Sequence, residues 1–183
     1  MVALETGPVQ LNFQAVDFSL LGVDQKFYSL NDVRGENGLL VMFICNHCPY
    51  VQAILDKIIR DTKELEQYAV KSVAIMSNDA NLYPDDSFAN MQKLAAEKQF
   101  PFPYLFDEEQ IVAKAYDAVC TPDFFGFDKD LRLKYRGRLD AAKLDKSAEC
   151  QRELFEAMVS IARTGEVKAP QLPSIGCSIK WHK

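Results

Sequence analysis

The sequence has no excess of basic charge: 21 Lys and Arg stand against 26 Asp and Glu, a formal net charge of -5. Nucleic-acid surfaces need clustered Lys and Arg to neutralise phosphates, and no basic stripe exists to supply them. A nucleic-acid partner is therefore excluded. Histidine is scarce, with His47 and His182 as its two occurrences, and no second C-x-x-C pair accompanies the first. A structural zinc site needs four such ligands at suitable spacing, so zinc is the weaker use of the cysteines that are present. The opening segment, Met1 to Phe18, holds Glu5 and Asp17 and lacks a basic start followed by an apolar run. It reads neither as a signal peptide nor as a membrane anchor, and the expectation is a cytoplasmic protein with no membrane partner. Low-complexity segments and internal repeats are missing too, and no shift in composition marks a second domain. At 183 residues and 48% hydrophobic, the expectation is a single domain over residues 1–183, with an irregular extension over 166–183.

Within that chain, apolar patterning alternates between strand and helix. Residues 11 to 30 read as two strand-like pieces turning near Gly22 and Asp24, an opening β-hairpin. Leu39 to Ile44 is a continuous apolar run of buried-strand length, suited to a central strand covered by helices on both sides. Pro49 then opens a helix in which Val51, Ile54, Leu55, Ile58, Ile59 and Leu65 recur at helical spacing. Val70 to Met76 reads as a second buried strand, Asp86 to Gln99 and Asp107 to Ala118 as helices. Asp123 to Asp128 and Leu131 to Arg136 read as a hairpin in which Phe124 and Phe125 are core residues. A last amphipathic helix spans Ala148 to Thr164 and stops at Gly165. The fold class is α/β, a central mixed sheet flanked by helices.

Of the five cysteines, Cys45 and Cys48 form a C-x-x-C pair, whereas Cys120, Cys150 and Cys177 stand alone. Disulfide exchange is carried by a thiolate, and the unpaired N–H groups and aligned dipoles at a helix start favour one there. Three residues separate the two sulfurs, nearly one helical turn, which returns Cys48 to the face of Cys45. One cysteine attacks a substrate disulfide and the other resolves the mixed disulfide. The intervening Asn46 and His47 tune the couple, His47 as a hydrogen-bond or charge partner of a thiolate that makes the pair more oxidising. Cys120 and Cys150 read as small structural hydrophobes. Cys177, in the Gly-containing tail, is a candidate third redox thiol able to resolve a disulfide or sulfenic acid; an exposed or structural thiol is the competing reading. Tyr83-Pro84-Asp85-Asp86 reads as a helix start rather than a cation or partner site, and Lys129 to Lys134 as a solvated hairpin.

Strand Leu39 to Ile44, the run Cys45-Asn46-His47-Cys48-Pro49, its helix, and Thr121-Pro122 before a hairpin together resemble thioredoxin-like proteins. Within them the chain is similar to the redoxin-like branch near the alkyl hydroperoxide reductase and thiol-specific antioxidant family. The resemblance implies a cis-proline at Pro122 facing the cysteines, with Thr121 offering backbone groups to an extended peptide. It implies a thiol-disulfide oxidoreductase that needs no cofactor or metal. Its substrate would be a protein or small-molecule disulfide, and its reductant a thiol such as thioredoxin or glutathione. A thiol peroxidase with antioxidant activity is the alternative, and a metal-binding module on the same fold a third. Two departures count. Where peroxiredoxins carry threonine and proline ahead of the peroxidatic cysteine, this chain has Cys45 and Val41. Where thioredoxin buries an aspartate, it has Leu39; Asp79, after the second buried strand, is a candidate proton acceptor, with a turn former or helix cap as the commoner use of an aspartate there.

Overall fold

Six consecutive residues, Gly38–Phe43, form the central strand β4, and every one of them is buried. The period of two explains why the run is apolar throughout. Leu40 and Met42 point into one core with Tyr104, Phe124 and Met158. Leu39, Val41 and Phe43 point into another with Ile75, Phe125 and Phe127. Fully burying each such side chain contributes about 1.5–3 kcal/mol before entropy is counted. This computed structural model describes residues 3–142, 144–145 and 150–182.

The chain order is β1 (Ala3–Glu5), β2 (Ser19–Gly22), β3 (Phe27–Ser29), α1 (Leu30–Val33), β4, α2 (Pro49–Leu65), β5 (Val70–Met76), α3 (Phe88–Lys98), β6 (Tyr104–Phe106), α4 (Ile111–Ala115), β7 (Cys120–Thr121), β8 (Asp123–Phe127), β9 (Leu133–Arg136), α5 (Glu153–Thr164) and β10 (Ile175–Ser178). Seven strands make a mixed sheet in the order β3-β2-β6-β5-β4-β8-β9. β4 pairs in parallel with β5, and β5 with β6, whereas β8 runs antiparallel beside β4. The expected α/β class, the opening hairpin β2–β3 and the late hairpin β8–β9 are present. A smaller sheet, β1-β10-β7, lies apart from the large one in pairing.

Helix α2 starts with Pro49 in its first turn and buries Val51, Ile54, Leu55, Ile58 and Leu65, the stripe that the spacing predicts. α5 lays Leu154, Ala157, Met158 and Ile161 into the same core. It ends at Gly165, whose left-handed φ of 77° lets its N–H reach Ile161 O at 2.8 Å, a conformation that costs glycine nothing. α5 begins at Glu153, so Cys150 precedes the helix instead of lying in it. The expected start at Ala148 falls outside the described residues. α3 and α4 are shorter than the spacing suggests, because Pro84–Asp86 forms a separate 3-10 turn and Gln110 turns left-handed just before α4. The tail also departs from expectation: within 166–183, strand β10 joins β1 to β7. Among the described residues no helix is long and apolar enough to cross a membrane.

Candidate active site

The carboxyl end of β4 delivers Cys45 to the loop before α2, and Cys48 is the residue that caps α2. The helix mouth therefore belongs to Cys48 more than to Cys45. Pro49 lacks an N–H, and the remaining free N–H groups of the first turn, with the helix dipole, favour negative charge on the Cys48 sulfur. Cys48 Sγ lies 3.1 Å from Thr121 O and 3.0 Å from Cys177 Sγ. Cys45 Sγ lies 3.2 Å from Thr121 Oγ1.

These contacts divide the acidities. Hydrogen bonding from Cys45 lowers the Cys48 thiol to about 5 against the opposing effect of burial, with Cys177 and the Val51 N–H adding to the fall. Cys45 is held well above the ordinary thiol range by the same bond to Cys48, by burial and by the nearby Asp86 carboxylate. Burial, followed by Cys48, pushes Cys177 up to about 12. The chain order puts the helix start in the neighbourhood of Cys45; in the fold Cys48 is the capping residue, three positions along.

All three sulfurs are covered: Cys45 is 1% exposed, Cys48 0% and Cys177 2%. The cover is β10, which pairs antiparallel with β7 so that Cys177 faces Thr121 and Ser178 faces Cys120. Thr121-Pro122 is a cis peptide, as the family resemblance implies. The Thr121 edge is not open to an extended peptide, however, because the chain's own tail is paired with it. Beside Pro122 a shallow cleft remains, lined by Tyr50, Ile54, Arg138, Leu139, Ser174 and Ile175.

Asp86 is the functional residue that the sequence hides. Read there as part of a helix start, it sits fully buried under the C-x-x-C loop. Its carboxylate accepts the Asn46 N–H at 2.8 Å, the His47 N–H at 3.3 Å and the Asn78 side-chain N–H at 2.7 Å. It also holds His47 Nδ1 at 2.6 Å. His47 stacks on Tyr83 with the ring planes 7° apart, and its Nδ1 is engaged by Asp86 rather than by a sulfur. Asn46 accepts a hydrogen bond from the buried Tyr104 hydroxyl at 3.0 Å and donates to Asp85 O at 2.9 Å. The two tuning residues are thus fixed from below. Asp79, the other acidic candidate, caps the turn that follows it through the Asn81 N–H at 3.0 Å, which is the ordinary use of an aspartate after a strand. No residue of thioredoxin's buried-aspartate position is needed to place a carboxylate near the pair.

Cys45, His47 and Asp86 bring one ligand atom each within 4.8 Å of one another. A metal ion there would have one sulfur, one nitrogen and one oxygen, and would have to displace the His47–Asp86 bond. Cys120, fully buried in β7, is pushed upward by desolvation and stays a neutral thiol, as a structural cysteine should.

Asp86→Asn is expected to cost about 1–3 kcal/mol, because the new amide must turn an N–H toward at least one of the donors that converge there. It is also expected to lower the Cys45 thiol by removing a nearby negative charge. Urea denaturation measures the first effect and thiolate absorbance the second. An unmoved Cys45 titration would separate Asp86 from the redox centre.

Comparison with known proteins fits this geometry. The chain is 45% identical to an uncharacterised conserved protein from Geobacillus kaustophilus, over 100% of this chain and 97% of that one, with a TM-score of 0.94. It is 34% identical to a hypothetical protein from Sinorhizobium meliloti 1021, over 97% and 98%, with a TM-score of 0.92. A thiol:disulfide interchange protein of the thioredoxin family from Chlorobium tepidum shares 15% identity over 85% and 99%, at a TM-score of 0.63, a likeness of fold. No curated protein matches the chain. The model of the AhpC/TSA family matches residues 11–136, a span that holds β4, Cys45, Cys48 and Thr121-Pro122, and the chain belongs to that family of thiol redox proteins.

Proposed function

We propose that this redox enzyme is a thiol-disulfide oxidoreductase in which Cys48 is the attacking sulfur and Cys45 the resolving one. The observation that carries this reading is the position of Cys48 as the cap of α2, where the free N–H groups of the first turn, that of Val51 among them, favour negative charge on its sulfur. At neutral pH such a sulfur is a thiolate. It attacks one sulfur of a substrate disulfide, forming a mixed disulfide and releasing the other sulfur as a thiolate. Cys45 then gives up its proton and attacks Cys48 Sγ, which releases the second substrate thiol and leaves a Cys45–Cys48 disulfide. A thiol reductant such as thioredoxin or glutathione restores the pair. The covered sulfurs, with the tail paired along Thr121, suit a small disulfide better than an extended protein segment.

That cover also favours a second reading. A peroxide is small enough to reach a sulfur buried under β10; Cys48 would take one oxygen as a sulfenic acid, release an alcohol or water, and condense with Cys45 as a further water leaves. The two readings part on substrate. Turnover of a small disulfide with dithiothreitol as reductant, at a rate well above that with hydrogen peroxide, is the expected result. Reductant consumption with hydrogen peroxide and none with disulfides would replace the first reading by the second.

A further inference from the structure

Cys48 has two sulfur neighbours, Cys45 in the preceding loop and Cys177 at 3.0 Å on β10, and a disulfide needs little more closure than that. From this arrangement we infer that Cys48 is the shared sulfur of two alternative disulfides, and that Cys177 takes over the disulfide from Cys45. The inference rests on the Cys45–Cys48 chemistry of the proposed function and extends it by one exchange. The Cys177 thiolate attacks Cys48 Sγ of a Cys45–Cys48 disulfide. The Cys48–Cys177 bond forms as the Cys45–Cys48 bond breaks, and Cys45 leaves as a thiolate that takes up the proton Cys177 has lost. No oxidant or reductant is consumed.

The tail is built to hold Cys177 in that place. Gly176 lies so close to the Thr121 carbonyl that a Cβ there would meet its oxygen at 2.0 Å; β10 can approach β7 this closely because the residue before Cys177 has no side chain. On one side of Cys177, Ser174 Oγ donates to Pro122 O at 2.9 Å and Ser174 O accepts the Thr6 N–H at 3.0 Å. On the other, the Lys180 N–H reaches Asn78 Oδ1 at 2.9 Å, and Lys180 O accepts from the Asp79 N–H and the Gln110 amide at 2.8 and 2.7 Å. Both flanks are anchored, so the sulfur is presented at fixed range instead of sweeping on a free tail.

Oxidation of the pair also frees Cys177 to react. In the reduced protein its proton is retained by burial, then by the hydrogen bond and negative charge of Cys48, against the pull of the Lys180 ammonium. A Cys48 already tied to Cys45 carries no charge and accepts no proton bond of that strength, which removes both of its contributions and leaves Lys180 to act against burial alone. The exchange is thereby switched on by the product of the first reaction. An external thiol has to pass β10, whereas Cys177 is carried by that strand with its sulfur already 3.0 Å from Cys48 Sγ.

Peptide mapping by mass spectrometry after oxidation with one equivalent of diamide, with free thiols blocked in acid, tests the inference in wild type, Cys45→Ser, Cys177→Ser and Gly176→Ala. Wild type should carry Cys48–Cys177 as its main disulfide, and Cys45→Ser the same one. Cys177→Ser should stop at Cys45–Cys48. Gly176→Ala, which keeps every sulfur but pushes β10 off Thr121, should lower the ratio of Cys48–Cys177 to Cys45–Cys48 at least tenfold. Should Gly176→Ala fail to fold, the cysteine variants still decide. Cys45–Cys48 as the sole product in wild type, with no Cys48–Cys177 in Cys45→Ser, would overturn the transfer and leave the oxidoreductase reading standing. Absence of Cys45–Cys48 from Cys177→Ser would overturn both.

Discussion

Cys48→Ser is expected to lower disulfide turnover by about 10³-fold or more, the scale on which enzymes lose rate when an attacking nucleophile is removed. The double variant Cys45→Ser/Cys177→Ser should behave differently: it keeps the Cys48 sulfur but has neither neighbouring sulfur to resolve with, so it accumulates a mixed disulfide with substrate and turns over only as fast as an outside thiol releases it. Trapping of substrate on Cys45→Ser/Cys177→Ser and not on Cys48→Ser would establish the order of attack; the reverse pattern would assign attack to Cys45. The ionisation behind this order can be read without chemical access to the sulfur. Thiolate absorbance near 240 nm should appear in wild type with a midpoint at about 5 and be missing from Cys48→Ser over the same range. The sign for stability follows. A thiol lowered in the folded state, against about 8.5 in the unfolded chain, adds stability that is complete above that unfolded value and is lost as pH falls toward about 5. Cys45, raised in the folded state, acts in the opposite sense and only above the unfolded value. Unfolding free energy measured from pH 5 to 8 should therefore climb more steeply in wild type than in Cys48→Ser.

What the sequence makes legible is what is set by neighbours along the chain. The apolar run of β4, the proline that starts α2 and the three-residue spacing of the cysteines are local, and each reappears in three dimensions where periodicity and capping rules put it. The family resemblance adds Pro122, which lies 74 positions beyond Cys48 and has no local signal tying it to the pair. One residue and one strand escape. Asp86 sits in a Pro-Asp-Asp run that reads as a helix start, and part of that reading is right, since a 3-10 turn forms there. Its partners Asn46, His47 and Asn78 are drawn in from two other segments, and no spacing rule reports such convergence. The strand that places Cys177 is the other: the sequence offers the tail thiol as a candidate, but not β10 beneath it. β10 has four residues and pairs with strands of three and two, too short for an alternating pattern to announce them. The role of His47 shows the same limit: its identity is plain from the sequence, but its direction is decided by a carboxylate 39 residues away.

Arg136→Met is expected to cost about 3–5 kcal/mol at pH 8, the loss typical of removing one partner of a buried ion pair. Asp123 is 0% exposed and Arg136 3%. The guanidinium donates to both carboxylate oxygens, at 2.9 and 3.4 Å, and to Asp117 O at 2.7 Å. It also lies over the Phe125 ring at 4.5 Å, so the substitution removes a cation–π contact along with the pairing. Burial already lifts the Asp123 carboxyl to about 7 even with Arg136 drawing it down. Without the arginine the carboxyl rises further, and a group raised in the folded state is stabilising while protonated and loses that contribution as pH rises through its folded value. The cost of Arg136→Met should therefore shrink at pH 5, where Asp123 is neutral with or without its partner. Urea denaturation at the two pH values checks the difference, and an equal loss at both would show that packing against Phe125, and not the charge, is what Arg136 supplies. The pair also bears on the redox centre. Asp123 follows Pro122 directly and starts β8, whose Asp123 lies opposite Phe43 of β4, two residues before Cys45. Arg136 thus ties β9 to the start of β8 and, through Asp117 O, to the turn before β7, and the variant should lose disulfide turnover in proportion to how far the segment that carries Thr121 shifts, even where it remains folded.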